Sequence, residues 1–439
     1  MVTFISNLTH MTYRETTDYL FNQLPMFERQ GKAGYKSGLD NTLALDSHYG
    51  HPHRNFKTIH VAGTNGKGST SHTLAALLQA AGYKVGLYTS PHLVDFRERI
   101  RVNGLCISEE YVVDFVEQGR DFFEPLHPSF FELTTAMAFK YFSDQKVDIA
   151  VVEVGLGGRL DCTNIITPIL SVITNISFDH TQFLGNTLES IAREKAGIIK
   201  KGVDVVVGET CSATRPVFEA LAREKSSPLF FADDEGEIIS SRLTPSGTMT
   251  YTTLHHGTFT GVLAGSYQVK NTATVLSAYT RLVAQGILAD DDTLLAKAFS
   301  TVVEATGLMG RWQTISRQPL TVCDTGHNVA AWEYLSRQLA SVECPRKHIV
   351  FGMVDDKDIT SVAKMLPKDA IYYFTQADSH RALKADEVAR ICRSIGLKGE
   401  CYSSVNQAYK AANEAADDND FVYVGGSSYV VADYLSNCI

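Results

Sequence analysis

The spacing of apolar residues from about residue 57 onward alternates between strand-like and helix-like patterns. Two of the short runs, DIAVVEV and ILSVITNI, are nearly all apolar, which is typical of strands buried on both faces. Strands are predicted at residues 57–61, 85–88, 148–154, 169–176 and 203–207, and helices at residues 69–81 and 267–285. This alternation predicts an α/β fold in which helices cover a parallel sheet.

Two segments depart from the parallel pattern. The runs 99–102 and 105–108 flank Asn103-Gly104, which is a strong signal for a two-residue hairpin turn. Residues 233–262 combine turn residues with short polar strands. Both segments are therefore predicted to be antiparallel.

A second α/β series begins near Arg311. Its predicted strands are residues 320–324, 347–352, 370–375 and 420–425, and its predicted helices are 329–340, 359–366, 386–395 and 405–415. A chain of 439 residues is long enough for two domains. We place the boundary at about residues 305–312, which gives one domain over residues 1–306 and a smaller one over residues 307–439.

Composition narrows the class of protein. The formal net charge of −9 argues against a nucleic-acid-binding surface. The N-terminus lacks the basic and apolar regions of a signal peptide, and no apolar run is long enough to span a bilayer. The eight cysteines are scattered without a C-x-x-C pair, so neither a disulfide framework nor a zinc site is expected. A cytoplasmic protein without membrane contact is the expectation.

A glycine-rich segment between the first strand and the first helix is a candidate phosphate loop. Glycines let backbone N–H groups approach phosphate oxygens, and a helix N-terminus favours negative charge. The match to the common P-loop spacing is imperfect because Val61 stands where that pattern has its first glycine and Gly68 separates Lys67 from Ser69. The alternative is a plain strand-to-helix turn. The candidate phosphate-binding residues are Gly63, Thr64, Asn65, Gly66, Lys67, Gly68 and Ser69.

Three further strand ends carry a hydroxyl, a carboxylate and an imidazole. Ser90 follows the strand at 85–88, Glu153 ends the strand at 148–154, and His180 follows the strand at 169–176. We expect these strand ends to be neighbours and to form a magnesium site, although imidazole is an unusual magnesium ligand. The alternative is that Glu153 forms a salt bridge with Arg159 or Lys195.

Beyond these features, the chain closely resembles the folylpolyglutamate synthase/dihydrofolate synthase family, within the Mur ligase superfamily. The resemblance lies in an ordered set of strings that spans nearly the whole chain: HVAGTNGKGST (60–70), TSPHL (89–93), SFFELTTAMAF (129–139), VVEVGLGGRLDCTN (151–164), DHTQFLGNTLESIAREKAGIIK (179–200), GRWQ (310–313), DTGHN (324–328), GMVDDKD (352–358) and GGSSYVVAD (425–433). It implies a three-layer P-loop ATPase domain followed by a smaller Rossmann-like ligase domain, with ATP in the cleft between them.

The resemblance also implies a reaction and roles for particular residues. The implied reaction is ATP- and Mg²⁺-dependent ligation of L-glutamate to a folate-type carboxylate, dihydropteroate or tetrahydrofolate, through an acyl phosphate. The implied roles are phosphate contact for Lys67, Mg²⁺ contact for Ser90, Glu153 and His180, and nucleotide contact for Asn271, Arg311 and Asp324. Phe131 and Asp161 match pterin-contacting positions, and His327 and Ser427 are candidates near the incoming glutamate. A monovalent cation is a further candidate, and the family suggests a monomer.

Lys195 matches a lysine that family members carry as a carbamate. The alternative from the residues alone is a surface helix lysine paired with Glu194 or Glu189. The chain departs from the family in two places, since it has Thr325-Gly326 within DTGHN and Tyr267 where a histidine is usual. Tyr267 puts in doubt a contact that supports the nucleotide-binding residues, but not nucleotide binding itself.

Two other functions remain open at the level of sequence. A Mur-type peptidoglycan amino-acid ligase shares the ATP chemistry but takes a nucleotide-sugar substrate. A P-loop regulator would bind ATP without ligating anything. The string SFFELTTA and the long segment before the phosphate loop favour a folate substrate. The histidines at 48, 51 and 53 are expected to lie in a solvated loop.

Overall fold

The computed structural model describes residues 10–25, 38–244 and 246–437. The helices are α1 (Tyr13–Gln23), α2 (Asp40–His48), α3 (Lys67–Ala80), α4 (Glu109–Phe123), α5 (Phe130–Asp144), α6 (Thr181–Leu184), α7 (Leu188–Lys195), α8 (Arg215–Glu224), α9 (Ala232–Glu235), α10 (Gln268–Ala284), α11 (Asp292–Thr306), α12 (Val329–Ser341), α13 (Ile359–Met365), α14 (Ala385–Ser394), α15 (Val405–Ala415) and α16 (Ser428–Asn437). The strands are β1 (Lys57–Ala62), β2 (Val85–Tyr88), β3 (Ile100–Val102), β4 (Leu105–Cys106), β5 (Ile149–Glu153), β6 (Leu170–Ile173), β7 (Asp204–Val207), β8 (Leu229–Phe231), β9 (Ile238–Leu243), β10 (Met249–Thr253), β11 (Thr258–Gly261), β12 (Gln313–Arg317), β13 (Leu320–Asp324), β14 (Lys347–Phe351), β15 (Ile371–Phe374), β16 (Lys398–Cys401) and β17 (Phe421–Gly425).

The first sheet has eight strands in the order β4-β3-β2-β5-β1-β6-β7-β8. The strands β2, β5, β1, β6, β7 and β8 are parallel to one another. β3 pairs antiparallel with β2, and β4 pairs antiparallel with β3. Every residue of β5 and β6 is buried, as the apolar runs predict. The predicted α/β fold with a parallel-rich sheet is confirmed.

Helices cover both faces of this sheet and make it the middle of three layers. Leu74 of α3, Leu276 of α10 and Leu295 of α11 are fully buried in the core on one face. Val116 of α4 and Met137 of α5 are fully buried in the core on the other face. A strand with no exposed face gains its stability from burial on both sides, which explains why its sequence shows no polar alternation.

The predicted antiparallel segments are present, with one boundary corrected. Asn103 and Gly104 both have positive φ, 47° and 79°, as a hairpin turn of this type requires. β4 stops at Cys106 instead of continuing to residue 108. The Ser108 side chain accepts a hydrogen bond from the backbone N–H of Tyr111, so it already caps α4.

The second sheet has six strands in the order β12-β13-β17-β14-β15-β16. β13, β17, β14, β15 and β16 are parallel, and β12 is antiparallel to β13. The two edge strands, β12 and β16, are only partly buried, and the sequence did not predict them because they lack an apolar run. α12, α13 and α14 pack on one face, and α15 and α16 pack on the other.

The expectation of a solvated histidine loop holds only in part, because His48 is exposed but ends a helix, the His51 side chain is 40% exposed, and the His53 side chain is only 12% exposed. The Nδ1 atoms of His51 and His53 each lie 2.6 Å from an oxygen of Asp46, whose side chain is buried. The ring of His48 stacks on that of Phe122 with centroids 3.7 Å apart. His51 and His53 therefore contact α2 through Asp46, and His48 connects α2 to Phe122 of α4.

Two global observations concern the described residues. None of their helices is both long and apolar enough to cross a bilayer. Their seven cysteines are all free thiols.

Candidate active site

The candidate phosphate loop runs from the end of β1 into α3, which begins at Lys67. Gly63 and Gly66 have φ values of 147° and 85°. A Cβ on Gly63 would lie 1.8 Å from Thr174 Oγ1, and a Cβ on Gly66 would lie 2.2 Å from Asn271 Oδ1. Glycine is thus required at both positions by conformation and by contact.

The Lys67 amine folds back over this loop. Its Nζ donates to the carbonyls of Gly63 and Thr64 at 3.1 Å each. Gly68 comes next and packs closely, because a Cβ there would lie 3.3 Å from Arg311 Nη2 and 3.8 Å from Glu153 Oε2. The residues predicted to contact phosphate therefore share one small volume with Arg311 and Glu153.

A buried amide chain connects α10 to the start of α3. Gln268 Nε2 donates to Ser69 Oγ at 3.0 Å, and Asn271 Nδ2 donates to Gln268 Oε1 at 2.8 Å. The orientation of Asn271 is thereby fixed, with its Oδ1 facing Gly66. The sequence-predicted nucleotide residue Asn271 lies beside the phosphate loop.

Asp324 and Arg311 approach the same loop from the second sheet. Asp324 accepts hydrogen bonds from the hydroxyl of Tyr267 at 2.6 Å, the backbone N–H of Trp312 at 2.7 Å and that of Gly326 at 2.8 Å. Burial raises the pKa of Asp324, while the Tyr267 hydrogen bond and the Arg311 charge oppose this. Tyr267, the departure from the family pattern, supplies a direct contact between the two parts of the chain.

The strand ends that carry the candidate metal ligands are not all neighbours. β5 lies between β2 and β1, and β1 separates β5 from β6. The expectation of three adjacent strand ends is therefore wrong, because strand order is not written in the sequence. The consequence is that the phosphate loop after β1 lies between Glu153 on β5 and His180 after β6.

Glu153 is buried, and its Oε2 has no hydrogen-bond partner among the described residues. Burial raises its pKa to about 7, although the charges of Lys67 and Arg311 oppose the shift. The salt-bridge alternative is wrong, since Arg159 pairs with Glu194 at 2.9 Å and the Lys195 amine donates to the carbonyl of Gly63. A buried carboxylate oxygen without a partner fits a bound cation.

The donor set at this position is suited to a hard cation. Ser90 and Glu153 line the same cavity, and the backbone N–H of Ser90 favours the charged form of the Glu153 carboxylate and so opposes the rise in its pKa. Burial lowers the pKa of His180 to about 3 and keeps the imidazole neutral. Among residues 10–25, 38–244 and 246–437, no three His, Cys, Asp or Glu side chains converge on one metal position. A metal here would take its remaining ligands from substrate oxygens and water, as Mg²⁺ commonly does.

Lys195 ends α7 and is 5% exposed. Its amine donates to the carbonyl of Gly63 at 2.9 Å. Burial and the nearby charge of Lys67 lower its pKa to about 7. The alternative of a surface lysine paired with Glu194 or Glu189 is wrong.

Two cavities adjoin the candidate phosphate loop. The first lies on the side of α10 and Arg311, and the second lies on the side of α5. The ring of Phe131 lies on the loop after β5, where a Cβ on Gly155 would be 2.4 Å from its Cζ. The Asp161 carboxylate accepts from the backbone N–H of Leu156 at 2.8 Å and of Thr163 at 3.0 Å. Phe131 and Asp161 both line the cavity, but Asp161 is already engaged by its own loop.

The remaining predicted residues come from the second sheet. His327 Nδ1 lies 3.0 Å from the carbonyl of Thr325, and its Nε2 lies 3.5 Å from Asp179 Oδ2. Asp179 also forms a buried ion pair with Lys357. Ser427 is buried at the start of α16 and accepts from the backbone N–H of Val430 at 3.2 Å.

The two cavities share a wall formed by Thr64, Lys67, Ser90, Pro91 and His327. Every predicted site residue lines one of them. The first cavity is lined by Asn65, Gly66, Gly68, Ser69, Glu153, Asn271, Arg311 and Asp324, and the second by Gly63, Phe131, Asp161, His180, Lys195 and Ser427. Sequence reasoning did not single out Lys357, Arg381 or Tyr429, which also line the second cavity, although two of them lie within the strings that carry the resemblance.

Comparison with known proteins agrees with this arrangement. Residues 61–279 match the Mur ligase middle domain, and residues 310–428 match the Mur ligase glutamate ligase domain. The dihydrofolate synthase/folylpolyglutamate synthase of Bacillus subtilis is 33% identical over 425 residues, which cover 92% of this chain and 95% of that protein. The chain belongs to the folylpolyglutamate synthase/dihydrofolate synthase family. The Escherichia coli member is 35% identical over 386 residues, which cover 85% of this chain and 84% of that protein.

Solved structures of the family share the fold over nearly the whole chain. E. coli FolC in complex with DHPP and ADP has a TM-score of 0.81 at 31% identity and covers 97% of both chains. A bifunctional folylpolyglutamate synthase/dihydrofolate synthase with Mn, AMPPNP and L-glutamate bound has a TM-score of 0.77 at 32% identity, covering 92% of this chain and 94% of that one. The eight-stranded and six-stranded sheets, together with the three-stranded antiparallel sheet β11-β10-β9, therefore belong to a fold that this chain shares with these members of the family.

Proposed function

We propose that this chain uses ATP to couple L-glutamate to the carboxylate of a folate-type acceptor, which is dihydropteroate and/or a tetrahydrofolate polyglutamate. The observation that carries the proposal is the shared wall at Lys67 and Ser90 between the phosphate-loop cavity and the aromatic cavity of Phe131. An acceptor in the second cavity can present its carboxylate to a phosphate in the first. The family membership and the ligands of the relatives, ADP with DHPP in one and AMPPNP with L-glutamate in another, support the same reading.

The reaction divides into two steps. An acceptor carboxylate oxygen attacks the γ-phosphorus of ATP, ADP leaves, and an acyl phosphate remains. The amine of glutamate then attacks the acyl carbon, and phosphate leaves with the oxygen that it received. Catalysis of phosphoryl transfer depends mainly on positioning and charge neutralisation. Lys67 and Arg311 would neutralise phosphate charge, while Asn271 and Asp324 would hold the nucleoside.

The candidate metal ligands fit Mg²⁺ for a stated reason. The unpartnered Glu153 oxygen and the Ser90 hydroxyl are hard oxygen donors, and His180 is a neutral imidazole. When bound, the ion would polarise the transferring phosphoryl group. A manganese-bound relative supports a divalent ion at this site, and a monovalent cation is a further part of the proposal.

Lys195 is proposed to be carbamylated. A neutral amine attacks CO₂ and loses a proton, so the reaction requires a depressed amine pKa. The burial of Lys195 and its proximity to Lys67 provide that condition. The product is an anion, which would reverse the charge of this position beside the phosphate loop.

The acceptor and glutamate would occupy opposite ends of the second cavity. Phe131 provides an aromatic surface for a pterin ring, and Asp161 lies next to it. Ser427 and His327 would contact the incoming glutamate, and His327 could accept the proton that its ammonium group must lose. Residues 1–306 and 307–439 are proposed as two domains that close over these substrates and exclude water, which would otherwise hydrolyse the acyl phosphate.

The protein is proposed to act as a cytoplasmic monomer that binds neither nucleic acid nor membranes. The free thiols of the described residues and the net charge of −9 support this setting. The test of the function is an ADP-release assay with L-glutamate and, in parallel, dihydropteroate, tetrahydrofolate or a UDP-muramyl substrate. We expect glutamate-dependent ADP release with the two folate compounds. Release with the UDP-muramyl substrate alone would instead identify a peptidoglycan ligase.

A further inference from the structure

Arg99 is a buried guanidinium in the second cavity that forms no ion pair among the described residues, and the carboxylate whose charged form it favours, Glu153, lines the other cavity. Arg99 ends the short 3-10 turn before β3 and is 2% exposed. Its Nε donates to His92 Nδ1 at 2.7 Å, and its charge lies 5.0 Å from the ring centre of Phe130. None of the ion pairs formed within residues 10–25, 38–244 and 246–437 includes it. Burying a charge without a partner is costly, so an unpaired buried arginine at a cavity wall calls for an anionic ligand.

The carboxylates that line the same cavity are engaged elsewhere. Asp179 is paired with Lys357, and Asp161 accepts the hydrogen bonds of its own loop. Glu132 accepts from the backbone N–H of Ser129 at 2.6 Å. None of these groups neutralises Arg99.

The orientation of the guanidinium leaves its outer edge available. The Nε–H of Arg99 is already donated to His92 Nδ1. The two terminal nitrogens of Arg99 then form an end-on fork, which matches the geometry of a carboxylate. Arg99 lines this cavity together with Ser90, beside which the acceptor carboxylate would react, and with Phe130 and Phe131.

We infer that Arg99 binds the α-carboxylate of a glutamyl group already attached to the acceptor, and that it thereby favours acceptors that carry glutamate. The inference rests on the proposed function and assigns one determinant of its acceptor choice. Dihydropteroate has a single carboxylate, which must go to the phosphate. A folate presents its γ-carboxylate to the phosphate and retains an α-carboxylate, which needs a cation.

The test compares acceptors in the Arg99→Gln variant. At saturating ATP and glutamate, loss of one charge-assisted carboxylate contact should lower kcat/KM for tetrahydrofolate roughly 10- to 100-fold, mainly through KM. The value for dihydropteroate should stay within about threefold, since that acceptor makes no such contact. Arg97→Gln is the matched control, because Arg97 lies two residues away but is paired with Asp95 at 2.9 Å. It should alter neither value.

A second comparison uses the unaltered enzyme and does not depend on the variant folding. The acceptor tetrahydropteroyl-isoglutamine has an amide in place of the α-carboxylate. Wild type should use it as poorly as Arg99→Gln uses tetrahydrofolate, and the variant should not distinguish the two compounds. Equal loss with both acceptors in a normally folded variant, or full activity of wild type with the amide, would overturn the inference. Inactivity of wild type with every folate acceptor would instead refute the proposed function.

Discussion

Replacing Lys195 with methionine removes a buried amine that the native fold holds in an unfavourable environment. Burial lowers its pKa from 10.5 to about 7. At pH 7.5 about three quarters of the folded molecules would therefore carry a neutral amine, against about one in a thousand for an ordinary lysine. The variant should lose nearly all ligase activity, because no carbamate can form. It should also be more stable than wild type in CO₂-depleted buffer.

The size of the stability gain follows from proton linkage. A base with a lowered folded pKa binds fewer protons folded than unfolded between pH 7 and 10.5, so wild-type stability should rise with pH across that window. The penalty is about 4 kcal/mol at pH 7.5. Loss of the hydrogen bond to Gly63 offsets about 1 kcal/mol, which leaves a gain of about 3 kcal/mol for Lys195→Met. The gain should shrink as pH approaches 10.

Urea unfolding and ADP release, measured on the same preparations, test this reasoning. The matched control is Lys201→Met, since Lys201 is an exposed lysine of the following turn and should change neither quantity. Bicarbonate should stabilise wild type but not Lys195→Met, because only wild type has an amine that reacts with CO₂. A Lys195→Met variant that is no more stable than wild type and retains its activity would refute both the buried amine and the carbamate.

Three further predictions follow from the same contacts. Lys67→Ala should lower kcat by at least about 10²-fold, because the amine lies on the candidate phosphate loop, where it would neutralise the charge of the transferring phosphate; near-normal kcat would remove it from the mechanism. Tyr267→Phe should cost about 1.5–3 kcal/mol in urea unfolding, because the buried Asp324 loses a hydrogen bond between the two sheets; an unchanged midpoint would contradict that contact. Burial lowers the pKa of His72 to about 3, so the folded state binds fewer protons than the unfolded state below pH 6.5. The free energy of unfolding should therefore fall as pH falls below 6.5, by roughly 1.4 kcal/mol per pH unit. His72→Asn should weaken this pH dependence in unfolding experiments.

The sequence predicted those parts of the site that depend on local chemistry. The turn at Gly63 and Gly66 and the helix that begins at Lys67 are predictable because glycines between a strand and a helix are a local signal, whereas phosphate binding by this loop stays a prediction. The hairpin at Asn103-Gly104 is local in the same way. Periodicity likewise predicted the strands that are buried on both faces.

The features that escaped prediction depend on contacts between distant residues. The position of β1 between β5 and β6 follows from packing of whole layers, and it decides that the phosphate loop lies among the candidate metal ligands. The burial of Lys195 against Gly63 joins positions 132 residues apart. The pairing of Lys357 with Asp179 spans 178 residues. No pattern of spacing along the sequence predicts which of these distant residues form pairs.

The central claim, ligation through an acyl phosphate, is most directly tested by the fate of the acceptor's oxygen. Dihydropteroate labelled with ¹⁸O in both carboxylate positions is incubated with the enzyme, ATP and L-glutamate, and the released phosphate is analysed by mass spectrometry. The proposed mechanism predicts one ¹⁸O atom in each phosphate and one in the new amide. Unlabelled phosphate would mean that water attacks ATP directly, and it would contradict the account.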